Sequence, residues 1–76
     1  MEYVKPMLIN VKHQVIDGSH FFTAAQNDAD GMPFPLGLCV AHRDYGTAVA
    51  ETRRCVGILL KWNHDIKGPF ELAITH

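Results

Sequence analysis

An alternating run of ten residues that ends in an Asp-Gly turn constrains this chain more than any other feature. In residues 7–16, MLINVKHQVI, side chains largely alternate between apolar and polar, with the period of two that is typical of a half-buried β-strand. Asp17-Gly18 follows, and this dipeptide accepts the positive φ angles that a type I′ turn needs at both central positions. Residues 19–26 are then interpreted as the returning strand. The sequence therefore predicts a β-hairpin.

A two-residue loop also determines which residues of the hairpin face each other. Ile16 would pair with Ser19, and His13 with Phe22. His13 and His20 would then lie on one face as diagonal neighbours. On the same face we expect these core residues: Met7, Ile9, Val11, Val15, Phe22 and Ala24.

Two more strands are predicted in the rest of the chain. Residues 27–35 contain two prolines and an Asp-Gly pair, and we expect an irregular loop there. Residues 36–42 are short and mostly apolar, as in a third strand. Residues 70–76 alternate again and predict a final strand.

A single helix is predicted between the third and fourth strands. It begins near residue 45 or 47, where Asp44 or Thr47 can act as the N-cap, and it ends between residues 63 and 66. Lys67-Gly68-Pro69 is a typical stop signal. Its apolar face is predicted to carry Val49, Thr52, Val56, Leu59 and Leu60, with Ala48, Cys55 and Trp62 on the flank.

These elements predict one domain over residues 1–76, of the α/β (α+β) class, with the order β-β-β-α-β. The fourth strand can lie parallel to the first at the far edge of a mixed four-stranded sheet. One helix covers only one face of such a sheet, so Leu8, Ile16 and Phe21 on the other face are candidate interface residues. Ile58 and Trp62 on the helix are candidates for a second contact. We therefore expect a homodimer, formed through the face of the sheet opposite the helix or through a sheet edge.

Charge and cysteine content exclude several classes of function. Seven Lys and Arg residues against eight Asp and Glu residues give a net charge of −1, which makes nucleic acid an unlikely partner. No apolar run is long enough for a membrane helix, and no signal peptide is recognisable. Two cysteines without a Cys-x-x-Cys motif favour reduced thiols and a cytoplasmic location.

The segment from Phe22 to Trp62 resembles the partial ribonuclease-H-like module of HicB-type antitoxins. The likeness lies in Pro35-Leu36-Gly37 before the third strand and in the helix opening. The residues that stand for that opening are Thr47, Ala48, Ala50 and Glu51. The resemblance implies a β-β-β-α-β module that neutralises a small RNA-cleaving toxin. Family members often carry a separate DNA-binding tail, and this sequence stops after the fourth strand.

Catalytic chemistry has little support in the sequence. The aspartates are predicted to lie in turns, which argues against a nuclease that needs converging carboxylates, and no catalytic residues are assigned. Five histidines are the compositional oddity. His13 and His20 could supply two metal ligands, with His42 nearby, although backbone-bonded histidines at a core edge are the favoured interpretation.

The sequence thus favours a non-enzymatic module that binds an unidentified protein partner and needs no cofactor. It would be an antitoxin-like regulator or an inhibitor from a phage or other mobile element. The first alternative is a metal- or small-ligand-binding protein that uses its histidines. The second is a nucleic-acid-binding regulator.

Overall fold

The sheet is built around the predicted hairpin. The computed structural model describes residues 6–27, 33–63 and 68–75. These contain β1 (Met7–Ile16), β2 (Ser19–Asn27), β3 (Pro33–His42), α1 (Tyr45–Asn63) and β4 (Phe70–Thr75). The strand order is β3-β2-β1-β4, with β4 parallel to β1 and the other neighbours antiparallel. The predicted β-β-β-α-β fold with a mixed four-stranded sheet is confirmed.

The turn and the register of the hairpin are as predicted. Asp17 and Gly18 have φ angles of 51° and 77°. Ile16 pairs with Ser19, and His13 pairs with Phe22. A turn of two residues leaves no slack in the pairing, so these local angles place every side chain of β1 and β2 on a defined face.

The predicted loop over residues 27–35 is partly wrong. Residues 28–32 lie outside the described part of the chain, but β2 reaches Asn27 and β3 begins at Pro33. Pro35 pairs with Ala25. An edge strand tolerates proline, because only one side of its backbone has to donate to the sheet. The register shifts just before this pair, and Gly37 beside the shift has a φ of 69°.

The helix begins at Tyr45, and Asp44 directly before it is the N-cap. The backbone N–H of Thr47 donates to Asp44 Oδ2 at 2.8 Å, and the Thr47 hydroxyl donates to the same oxygen at 2.7 Å. These bonds satisfy one of the amide groups that a helix start leaves unpaired. The helix ends at Asn63, and the first residue of the predicted stop signal lies outside the described residues. No helix within the described ranges combines the length and apolarity that membrane spanning needs.

Four helix positions spaced by four residues form the buried stripe of α1: Ala48, Thr52, Val56 and Leu60. Its centre therefore differs from the predicted one, because Val49 and Leu59 are only partly buried at its borders. The Thr52 hydroxyl is buried and donates to the Ala48 carbonyl at 2.7 Å, so no polar group is left unpaired there. The stripe packs on core residues of the sheet: Ile9, Val11, Phe22, Ala24 and Leu36.

One predicted core residue lies outside the core. Val15 is on the helix-facing side of β1, as its pairing with His20 requires, but it is 58% exposed. The hairpin carries this residue past the start of α1, where no helix covers it. That end of the sheet is occupied by histidines instead.

Candidate functional site

Two histidines bond directly to each other at the end of the sheet. His13 Nε2 lies 2.8 Å from His20 Nδ1. The ring centroids are 5.1 Å apart and the ring planes differ by 18°. The centroid separation nearly equals the N···N distance plus one ring radius on each side, so both nitrogens lie on the line between the ring centres. The two rings therefore meet edge to edge in almost one plane. This is the geometry of an N–H···N hydrogen bond in which one imidazole donates and the other accepts.

The first residue of the helix packs across this pair. The Tyr45 ring centroid lies 5.3 Å from that of His13 and 5.5 Å from that of His20, with both contacts steeply edge-on. Phe22 contacts His13 at 4.8 Å and Tyr45 at 5.5 Å. Sequence reasoning missed Tyr45. Its signal was its position directly after the N-cap, at the point where the chain leaves β3 beside the hairpin end.

His42 belongs to the same end of the sheet and pairs with His20 in the β2–β3 register. It is exposed, and its Nδ1 accepts a hydrogen bond from the backbone N–H of Asp44 at 3.2 Å. The hydrogen bonds from Thr47 lower the pKa of Asp44 most, and the positive charge of protonated His42 and His20 lowers it further. A carboxylate that stays ionised therefore lies near the histidines.

The pairing limits what this cluster can hold. Zinc takes three or four nitrogen, sulfur or oxygen ligands in proteins. Within the described ranges no group of three or more His, Cys, Asp or Glu side chains is arranged to hold a metal ion. The facing nitrogens of His13 and His20 bond to each other, and Nδ1 of His42 already accepts from the backbone. The structure brings the two predicted ligands together, but as a hydrogen-bonded pair.

We expect the purified protein to carry well under about 0.2 zinc ions per chain, because a two-histidine pair falls short of the usual ligand number. Elemental analysis after metal-free dialysis measures this. The control is a double variant, His13→Gln with His20→Gln, which should carry the same trace amount. Stoichiometric zinc that disappears in the double variant would contradict this expectation and favour the metal-binding alternative.

The helix presents a second candidate surface on its outer side. Trp62 is 76% exposed, and Ile58, one turn earlier, is 47% exposed. Residues four apart lie on one face of a helix, so these two side chains are neighbours. On the preceding turn, Arg54 donates to Glu51 at 2.8 Å. This ion pair lowers the pKa of Glu51 and raises that of Arg54, so the apolar pair has a charged neighbour.

The candidate residues on the open face of the sheet do not form one patch. Leu8 and Ile16 are both exposed, but they lie at opposite ends of β1, about 26 Å apart at the rise of an extended strand. The side chains between them on that face are Asn10, Lys12 and Gln14. Phe21 pairs with Gln14 and is half-buried. Phe21 is a diagonal neighbour of Ile16 near the turn, whereas Leu8 lies apart from both at the far end of β1.

The described residues thus present two candidate surfaces. One is the histidine end of the sheet, made by His13, His20, His42 and Tyr45, and the other is the helix face of Ile58 and Trp62. No protein-family model matches the chain, and neither does any curated protein or any solved structure.

Proposed function

We propose that this chain is a small, non-enzymatic binding module that acts by protein–protein contact through the helix face of Ile58 and Trp62. The observation that carries the proposal is the exposure of Trp62, at 76% of its surface. Leaving a side chain of this size in water forgoes the largest hydrophobic gain that one residue can contribute. A binding surface is the usual setting in which such a residue becomes buried.

The surroundings of Trp62 have the composition of a small interface. Ile58 extends the apolar surface by one turn, and Lys61 and the Glu51–Arg54 ion pair supply polar groups near it. Protein interfaces commonly combine an apolar centre, often containing tryptophan, with a polar rim. Tryptophan also has only two side-chain torsions to immobilise, so its burial costs little conformational entropy.

Within this proposal the chain is a cytoplasmic regulator that uses this one face either to occupy its partner or, when alone in solution, to form a homodimer. The resemblance to HicB-type antitoxins supports an antitoxin-like role, in which the partner is a small RNA-cleaving toxin. An inhibitor from a phage or mobile element is the other version. The net charge of −1 supports a protein partner over nucleic acid, since phosphate binding needs an excess of Lys and Arg.

Trp62 is the only tryptophan of the chain, so its fluorescence reports directly on this surface. In dilute solution we expect emission close to that of tryptophan in water, shifting to shorter wavelength as self-association buries the ring. Sedimentation at micromolar concentration should detect the dimer. Trp62→Ala, measured by sedimentation, should weaken the dimer by about 30-fold, the effect typical of a central interface tryptophan.

A matched double variant separates the two surfaces. Leu8→Ala with Ile16→Ala removes the exposed apolar residues of the open sheet face and should leave the dimer intact. Dissociation by this variant, with Ile58→Ala and Trp62→Ala behaving as native, would move the interface to the sheet. The homodimer part of the proposal would be contradicted if the protein stayed monomeric up to high micromolar concentration and its Trp62 emission did not change.

A further inference from the structure

We propose that His13, His20 and Tyr45 form a proton-sensitive latch that holds the first turn of α1 against the sheet. The latch is closed while at least one of the two imidazoles is neutral, and it opens when both are protonated. This inference concerns the fold's response to pH. It is independent of the proposed helix-face contact and of the partner's identity.

The hydrogen bond between the two imidazoles dictates this behaviour. His13 Nε2 and His20 Nδ1 are 2.8 Å apart, so one nitrogen carries the shared proton and the other offers its lone pair. One added proton, on a nitrogen outside the bond, leaves this arrangement intact. A second proton removes the acceptor of this bond and places two N–H groups and two like charges face to face. The closed arrangement cannot contain two imidazolium rings.

The groups around the pair set the balance between one proton and two. Asp44, in the connection to α1, is an ionised carboxylate that interacts favourably with positive charge on His20 and His42, so it helps the pair to hold one proton. His42 on β3 pairs with His20 and adds like charge when it is protonated. The helix start is the positive end of the α1 dipole and opposes further positive charge. From α1 itself, Tyr45 faces both rings through its aromatic edge contacts.

Tyr45 couples the pair to the helix. It is the first residue of α1, and its ring contacts His13, His20 and Phe22 together. If the imidazoles separate, this packing surface is lost and the first helical turn loses its contact with the hairpin end. Val15, the next residue on this face of β1, is already exposed and does not pack against the pair as a core residue would. Opening is therefore confined to one end of the fold, away from the buried stripe of α1.

The sign of the pH effect follows from proton counting. The closed pair takes up its second proton less readily than two separate imidazoles do in the unfolded chain. At mildly acidic pH the unfolded chain therefore binds more protons than the folded one, and stability falls as pH is lowered. The loss of stability begins at about pH 6.5, where the separate imidazoles of the unfolded chain take up protons, and it grows as the pH falls further.

The test compares thermal unfolding midpoints at about pH 7.5 and about pH 5, which bracket histidine titration, at one protein concentration. The native chain should lose about 5 °C between the two, a shift typical of one lost interaction in a domain of this size. The double variant His13→Gln with His20→Gln keeps neutral hydrogen-bonding side chains and should lose under about 2 °C. His42→Gln is the matched control: it removes one neighbouring charge but keeps the His13–His20 bond, so it should still lose most of what the native chain loses.

An equal loss in the native chain and the double variant would overturn the proposal. A measurement on the native chain does not depend on the variants' folding. Imidazole ¹⁵N spectra should show His13 and His20 taking up protons in two separate steps, with the Tyr45 ring signals moving in the second step. Uptake by both residues in one common step, with Tyr45 unmoved, would equally overturn it.

Discussion

Phe22→Ala is expected to lower the free energy of unfolding by about 3–5 kcal/mol, the usual cost of removing a buried phenylalanine. Phe22 is fully buried and has the largest volume of the fully buried residues that the structure describes. A chain of this length has a total stability of only about 4–11 kcal/mol at typical values per residue. The variant should therefore be partly unfolded at room temperature, which urea denaturation followed by circular dichroism would measure.

The neighbouring Phe21 provides the matched control, because it carries the same side chain on the opposite face of β2. It is half-buried and pairs with Gln14 on the open side of the sheet. Phe21→Ala should cost about 1 kcal/mol, as is usual for positions outside the core. Equal losses for the two variants would contradict the assignment of the core to the helix side of the sheet.

Phe22 also links the core to the histidine end, since its ring contacts both His13 and Tyr45. A cavity at this position removes one wall of the latch. Phe22→Ala should therefore affect the first turn of α1 in addition to the total stability. Amide hydrogen exchange would detect this as earlier exchange near Tyr45 than near Leu60.

The hairpin could be predicted from the sequence because its determinants are local. Asp17-Gly18 determines the turn, and the turn determines which residues of β1 and β2 pair with each other. The diagonal placement of His13 and His20 followed from the same register. Their direct bond did not, because it depends on side-chain torsions that the strand register leaves open.

The start of β3 was predicted wrongly, because the effect of proline depends on strand position. In a central strand Pro33 and Pro35 would each remove a ladder hydrogen bond, and the loop interpretation would hold. β3 is an edge strand with Gly37 at an irregularity, so both prolines are accommodated. The predicted sheet, with the fourth strand beside the first at the far edge, already implies an edge position for β3, but the loop interpretation used only the local sequence.

The scattered apolar residues of the open face were, in contrast, readable from the sequence. Leu8 and Ile16 are eight residues apart on one strand, which already places them at its two ends. Leu8 therefore lies far from the other two candidate residues of this face, Ile16 and Phe21. Trp62 was placed beside the predicted apolar stripe, but the stripe runs through every fourth residue from Ala48, and this rotation leaves Trp62 in solvent.

Leu60 and Trp62 stand two positions apart on α1 and are expected to respond to mutation in opposite ways. Leu60 is 2% exposed and belongs to the buried stripe, so Leu60→Ala should cost about 2–5 kcal/mol of unfolding free energy. Trp62→Ala should change that free energy by under about 0.5 kcal/mol, because a surface side chain contributes little to folding. Chemical denaturation of both variants as dilute monomers measures the difference.

For self-association the two variants should rank in the opposite order, with Trp62→Ala affected most. The comparison uses the concentration of folded protein, because part of the Leu60→Ala protein is unfolded. Leu60→Ala leaves the outer face of the helix unchanged, so its folded molecules should dimerise as the native chain does. Trp62→Ala should dimerise far more weakly while remaining fully folded. A Trp62→Ala protein that loses several kcal/mol of stability would mean that the ring packs on its own chain. Its surface would then be part of the core, and the helix face would no longer support a binding role.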